Sequence, residues 1–162
     1  MLELRIVEDG DAEAIRTIYN AEVVGSTATF DLVERTAEEQ RAWIAAHRGA
    51  YPAIVAVRDG EVVGFASLSP YRPRPAYSTT AEDSVYVAAP HRGQGVGKAL
   101  LADIVRLASA QGFHSVVARI VGDHAASIAL HRSCGFELVG VEREIGRKFG
   151  RWLDVAVMQR LL

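Results

Sequence analysis

The sequence is sparing in the residues that staple or anchor a protein. It has one cysteine, Cys134, so no disulfide can close within the chain. There are two methionines, two tryptophans and five prolines. The one proline-rich stretch, "SPYRPRPAY" (69–77), is too short for a domain linker and reads as a single loop. No apolar run reaches the roughly 18 residues that a membrane span needs. The opening "MLELRIVEDGDAEAI" has no basic segment ahead of an apolar run, so no signal peptide is expected. Positive charge is not in excess either: 18 Lys and Arg stand against 20 Asp and Glu, a net charge of −2. That argues against an electrostatic binder of nucleic acid. A cytoplasmic protein with no nucleic-acid and no membrane partner is the expectation. No internal repeat or low-complexity segment is found.

What is present suits a folded domain. Of 162 residues, 49% are hydrophobic and 23% charged, which supports one domain over 1–162 with a buried core. "LRIV" (4–7) reads as a strand, and 11–24 as a helix with Ile15, Ile18, Tyr19 and Val23 on one face. Thr36 opens "TAEE", a capping-box pattern with Glu39, ahead of Trp43 and Ile44. "AIVAVR" and "EVVGFASL" flank Asp59-Gly60, a strong hairpin signal. "EDSVYVA" (82–88) alternates as a strand, and a long helix follows through Val96, Leu100, Ile104 and Leu107 to Gly112. A strand at 115–121, a helix at 125–134 stopped by Gly135, and two strands, "FELVGVERE" and "LDVAVMQRL", complete the chain. The order predicts an α/β (α+β) domain, a mixed sheet of about seven strands flanked by about four helices.

The stretch "SVYVAAPHRGQGVGKAL" (84–100) joins strand to helix through three glycines, at 93, 95 and 97. A P-loop requires G-x-x-x-x-G-K-[ST], but Ala99 follows Gly97-Lys98 and position 92 is Arg. A dinucleotide fingerprint requires G-x-G-x-x-G, which this spacing does not give. What remains is R-x-x-G-x-G, formed by Arg92, Gly95 and Gly97, at the head of a helix. Glycines let backbone N–H groups approach a pyrophosphate, and the helix N-terminus adds positive dipole.

That loop resembles the acetyl-coenzyme A pyrophosphate loop of the GNAT acyltransferase superfamily. "NAEVVGSTATF", "YRPRPAYSTTAEDSVYV", "SIALHRSCGFELVG" and "GRKFGRWLDVAVMQ" resemble the phosphinothricin and methionine sulfoximine N-acetyltransferases within it. The resemblance covers nearly the whole chain, and "KFGRWLD" is its most family-specific block. It implies acetyl-coenzyme A as cosubstrate, no metal, a small amino-acid-like substrate and a homodimer. It assigns the coenzyme to Val85, Tyr86 and Val87, to the loop residues Arg92, Gly93, Gln94, Gly95, Val96 and Gly97, and to His124, Ser127 and Ser133. At His124 the family usually has asparagine, a departure at a coenzyme contact.

Direct attack by an amine needs a base, oxyanion donors and a proton for the leaving thiolate. Glu82 is the candidate general base, because the family has a glutamate in that role at this position. Asp83 points to the other side by strand alternation. His131 is the second candidate: its ordinary pKa of about 6.5 suits it to protonating a thiolate or relaying the amine proton, and the alternative is a helix histidine satisfied by a backbone carbonyl. His91 and His47 read as surface residues, His114 has no assignment, and Cys134 reads as a small buried hydrophobe. Arg72 and Arg74 lie close to Glu82 in sequence, and arginine binds carboxylates and phosphinates bidentately; by resemblance Arg72 lies at the amino-acid site. Phe30 and Tyr77 would wall the substrate, while Lys148 and Trp152 would close the pocket or a dimer interface. The expected activity is N-acetylation of phosphinothricin, methionine sulfoximine or sulfone, or a similar amino acid. The alternatives are acetylation of protein N-termini or polyamines, or a non-catalytic acetyl-coenzyme A-binding module.

Overall fold

The computed structural model describes residues 1–162 and contains seven strands and four helices in the expected order. The strands are β1 (Leu2–Ile6), β2 (Ala53–Arg58), β3 (Glu61–Pro70), β4 (Thr80–Val87), β5 (Ser115–Val121), β6 (Glu137–Lys148) and β7 (Arg151–Leu161). The helices are α1 (Ala12–Gly25), α2 (Ala37–Ala46), α3 (Val96–Ala110) and α4 (Ala125–Ser133). The strands form one sheet in the order β1-β2-β3-β4-β5-β7-β6. Only the β4–β5 pair is parallel. No helix is long and apolar enough to cross a membrane.

Local chemistry sets the boundaries. Asp59 and Gly60 both take positive φ, 52° and 81°, as a two-residue type I′ turn requires. The Glu39 amide donates to Thr36 Oγ1 at 3.1 Å, and the Thr36 amide to Glu39 Oε2 at 2.7 Å, closing the capping box of α2. The C-terminal strands run further than the alternation predicts, and meet at a tight turn through Phe149 (φ 51°) and Gly150 (φ 72°). The pattern hides this because β6 is irregular. Its pairing with β7 shifts between Glu142 and Gly146, where Glu144 has φ 50° and its amide donates to Asp154 Oδ1 at 2.7 Å. A bulge of this kind breaks the two-residue period.

Alternation divides the core into two layers. On one face Ile54, Ala66, Leu68 and Met158 pack with Leu100 and Ile104 of α3 and with Phe136. Cys134 belongs to this layer. On the other face Val55 and Phe65 meet Ile15 and Tyr19 of α1 and Ile44 of α2. Each such side chain contributes about 1.5–3 kcal/mol by leaving water. The reading of His47 as a surface residue is corrected here. Its ring stacks on Trp43 at 4.1 Å, with Nδ1 2.7 Å from Trp43 O, and burial pushes its pKa below the ordinary value.

Gly64 marks a close approach between β3, β4 and α3. A Cβ there would lie 2.9 Å from Tyr86 O and 3.0 Å from Leu100 Cδ1. Gly64→Ala is expected to cost about 1–3 kcal/mol by overpacking, read as a lower midpoint in urea unfolding. An unchanged midpoint would mean that the layers absorb a methyl group freely.

Candidate active site

β4 and β5 pair over only three residues, Thr80–Glu82 with Ser115–Val117. Beyond them the strands part, so the main chain of residues 83–87 lacks a ladder partner on that side. A cavity of about 570 Å³ opens at the wide end of the gap. Val85, Tyr86 and Val87 form one wall, and His124 and Ser127 at the start of α4 form another. A smaller space of about 60 Å³ lies in the gap itself. Asp83 and His131 reach it from one face of the sheet, and Ser84, Tyr86 and Arg119 from the other, so it passes between the parted strands.

The loop into α3 turns through Gly93 (φ 72°) and Gly95 (φ 82°), and a Cβ at either would meet nothing within 4 Å. Left-handed φ, not crowding, calls for glycine at both. Gly97 differs: a Cβ there would lie 3.3 Å from Leu130 Cδ2, so it allows α3 to approach α4. Ala99 makes the first backbone bond of α3, to Gly95 O at 3.0 Å, leaving the amides of Val96, Gly97 and Lys98 without a backbone acceptor. Free donors at the positive end of a helix, with Lys98 on the cavity wall, suit an anion such as a pyrophosphate.

The side chains of three expected coenzyme contacts do not line this cavity. Gln94 turns away, donating to Pro90 O at 3.0 Å and accepting from Arg58. Val96 is buried in the core, and Ser133 donates to Leu130 O at 2.7 Å at the far end of α4. Nearness in sequence to a glycine loop, or to a helix that touches a ligand, does not fix a side chain's direction. Arg92 does line the cavity, but its guanidinium donates to the buried carboxylate of Glu22 and its Nε to Val87 O at 3.0 Å. Ser26 donates to the same Glu22. Sequence reasoning missed Glu22, because nothing in α1 shows that its partner lies on a loop 70 residues away.

Glu82 and His131 lie on opposite faces of β4. Glu82 is half-buried. Burial pushes its carboxyl above the usual range; Arg119 opposes this, Asp83 adds to it, and Arg72 opposes it. Arg119 Nε is 3.8 Å from Glu82 Oε1, and its other end contacts Glu142 at 2.6 Å. His131 is buried, with Nε2 2.8 Å from Asp83 Oδ2 and Nδ1 2.8 Å from Ser127 O. Burial lowers its pKa, but the hydrogen bond and charge of Asp83 outweigh that, so the net shift is upward.

Arg72 lies over the Tyr71 and Tyr77 rings, at 5.0 and 5.9 Å, within electrostatic reach of Glu82. Arg74 is exposed and exerts no such effect on Glu82. Phe30 packs against Gly146, where any side chain would overlap its ring. Lys148 is buried and donates to Thr29 O at 2.9 Å, pinning the 26–31 segment to the β6–β7 hairpin. Trp152 is exposed, with Arg147 4.6 Å above its ring.

Strands that part after the half-buried Glu82, a cavity of about 570 Å³ at the gap and free amides at the head of α3 fit a coenzyme-dependent acyltransferase of the GNAT type. The Acetyltransferase (GNAT) domain family matches residues 4–157, and the chain belongs to it. Over 162 residues it is 43% identical to a phosphinothricin N-acetyltransferase of Alcaligenes faecalis, covering 98% of this chain and 82% of that one. It is equally 43% identical to an L-methionine sulfoximine/L-methionine sulfone acetyltransferase of Pseudomonas paraeruginosa, covering 92% of this chain and 88% of that one. A phosphinothricin acetyltransferase from Sinorhizobium meliloti, solved in complex with AcCoA, has a TM-score of 0.96 at 41% identity, covering 99% of this chain and 88% of that one. The protein is an N-acetyltransferase of this family, whose acetyl donor is acetyl-coenzyme A.

Gly95→Val would force positive φ on a β-branched residue, a strain of about 1–2 kcal/mol. If the loop reshapes to relieve it, the Kd for acetyl-coenzyme A rises roughly tenfold in calorimetry, with the fold retained by circular dichroism. Unchanged binding would remove the loop from the site.

Proposed function

We propose that the protein acetylates the α-amino group of a small amino acid that carries a second polar or anionic acceptor, in the class of phosphinothricin and methionine sulfoximine or sulfone. The observation that carries this reading is Glu82, a half-buried carboxylate of raised pKa at the point where β4 and β5 part, with Arg72 within electrostatic reach of it. When bound, acetyl-coenzyme A supplies the thioester that the amine attacks. The free amides at the head of α3 suit its pyrophosphate, and the main chain of Val85–Val87, unpaired on its β5 side, suits its pantetheine arm.

An amino acid enters as an ammonium, which Glu82 deprotonates directly or through a water. A carboxylate held above its usual pKa is a better base toward an ammonium. Arg72 then takes the α-carboxylate, and the Tyr71 and Tyr77 rings hold its guanidinium in place. A polyamine would find less here, because Arg119 and Arg72 already offset the carboxylates Glu82 and Glu142. His131, on the opposite face, is the proton source for the leaving thiolate. The protein acts as a homodimer in the cytoplasm. The exposed Leu138, Val139, Val141, Ile145, Phe149 and Trp152 of the β6–β7 hairpin offer the second copy an apolar surface.

Glu82→Gln should lower kcat by about 10² to 10⁴ at neutral pH. The sign of the pH effect follows from the raised pKa. The base works only when ionised, so wild-type kcat/KM should fall on acidification at a pH above the usual glutamate range. The mutant should lose that limb and recover in part at high pH, where the free amine is present. Full activity of Glu82→Gln at pH 7 would remove it as the base.

Arg72→Ala should cost about 1.5–3 kcal/mol, the worth of a hydrogen bond to a charged group, or roughly ten- to hundredfold in kcat/KM for phosphinothricin. The α-carboxamide analogue should suffer much less. Since Arg72 holds the Glu82 pKa down, the acidic limb should also move to higher pH. Equal losses on both compounds, with the limb unmoved, would assign Arg72 to the loop alone.

A further inference from the structure

The acid beside the proposed base has its own surroundings. Asp83 is buried on the α3–α4 face, its side chain 1% exposed. Its Oδ2 is 2.8 Å from His131 Nε2, and its Oδ1 has no hydrogen-bond partner. The other ring nitrogen, Nδ1, lies 2.8 Å from Ser127 O. Both partners of the ring are thus acceptors. A neutral imidazole has one N–H and could satisfy only one of them; the charged ring satisfies both. A buried imidazolium needs a counterion, and a buried carboxylate with one bare oxygen needs a cation. Each group supplies what the other lacks.

Ser127 gives the ring an outlet. Its Oγ is 3.5 Å from His131 Nδ1, and the residue lines both the cavity in the gap and the larger one. We propose that Asp83 is the positioning residue that keeps His131 a doubly protonated imidazolium, which hands a proton through the Ser127 hydroxyl to the sulfur leaving in the large cavity. This rests on the acetyltransferase reading above. As the acetyl C–S bond breaks, its electron pair stays on sulfur. Sulfur takes the Ser127 hydroxyl proton, and Ser127 takes the Nδ1 proton. The neutral ring recovers a proton from solvent. An ammonium substrate gives up two protons and sulfur keeps one, so each turnover releases one proton.

Other charges do not account for the charged ring. From β5, Arg119 points to the opposite face, toward Glu82. From α3, Asp103 is paired with Arg106, and Lys98 opens on the large cavity. On α4, Arg132 is exposed, and His124 shares the small cavity. Beyond the helix, Cys134 is buried in the core and Phe136 meets the ring edge-on at 5.0 Å. Asp83 is the one charge that acts on the ring.

The test is a ¹⁵N-edited NMR titration of the free enzyme, with the His131 signal assigned from His131→Gln, beside kinetics of Asp83→Asn. The wild-type ring should hold protons on both nitrogens at pH 7, and in Asp83→Asn it should be neutral there. In the mutant kcat should fall by about ten- to hundredfold, its basic limb should move to lower pH, and KM for acetyl-coenzyme A should change little. A neutral wild-type ring at pH 7 overturns the proposal, and so does an Asp83→Asn enzyme with an unmoved kcat–pH profile. If the mutant does not fold, the wild-type titration still decides. If no amino acid in a panel is acetylated, the functional reading fails while the titration still reports the charge of the pair.

Discussion

After Glu82 and Val117, β4 and β5 run apart, and the parallel ladder that should continue between them stops. Backbone donors and acceptors without partners are costly unless water or a ligand takes them. The gap is therefore a place where an extended chain of amides, such as a pantetheine arm, can take the position of a missing neighbour. The same gap connects the two faces of the sheet, which a continuous ladder would have sealed. It also leaves room for the start of α3 to present its first amides to the cavity. The cavity, and the access to the gap from both faces of the sheet, follow from this one interruption.

The adjacent acids Glu82 and Asp83 show how strongly a strand can separate like residues. Glu82 shares its face with Arg119, Arg72 and Glu142, in partial contact with solvent. Asp83, one residue on, is buried and has His131 as its one hydrogen-bond partner. Alternation thus gives one carboxylate the surroundings of a base and the other those of a fixed counterion. The two chemistries are kept apart by the sheet rather than by distance along the chain.

Most of the fold was legible because its signals are local. Asp59-Gly60, the Thr36–Glu39 capping box and the strand-loop-helix around Gly95 each declare an element from a few neighbouring residues. The parting of β4 from β5 was not legible, since Ser84 to Val87 alternate like any paired strand. The partners of Arg92 and His131 were hidden for a related reason: Glu22 and Asp83 are 70 and 48 residues away. The side chains of Gln94, Val96 and Ser133 lie beside cavity-lining positions in sequence, yet point elsewhere. The β6 irregularity masked the true length of the last hairpin, because between the pairs Glu142–Val155 and Gly146–Leu153 β6 carries two more residues than β7, which interrupts the regular alternation.

That bulge has a consequence for how the sheet ends. β6 is an edge strand of 12 residues, long enough to recruit further strands from other chains without limit. Register shifts after Leu138 and after Glu142 divide it into three short runs, so an incoming strand could match one run but not all of them. Growth by edge addition is thereby discouraged, while the apolar side chains of the hairpin remain available to a partner that packs by its side chains. The irregularity that obscured the strand in the sequence lets the molecule keep an apolar margin without becoming a template for fibres.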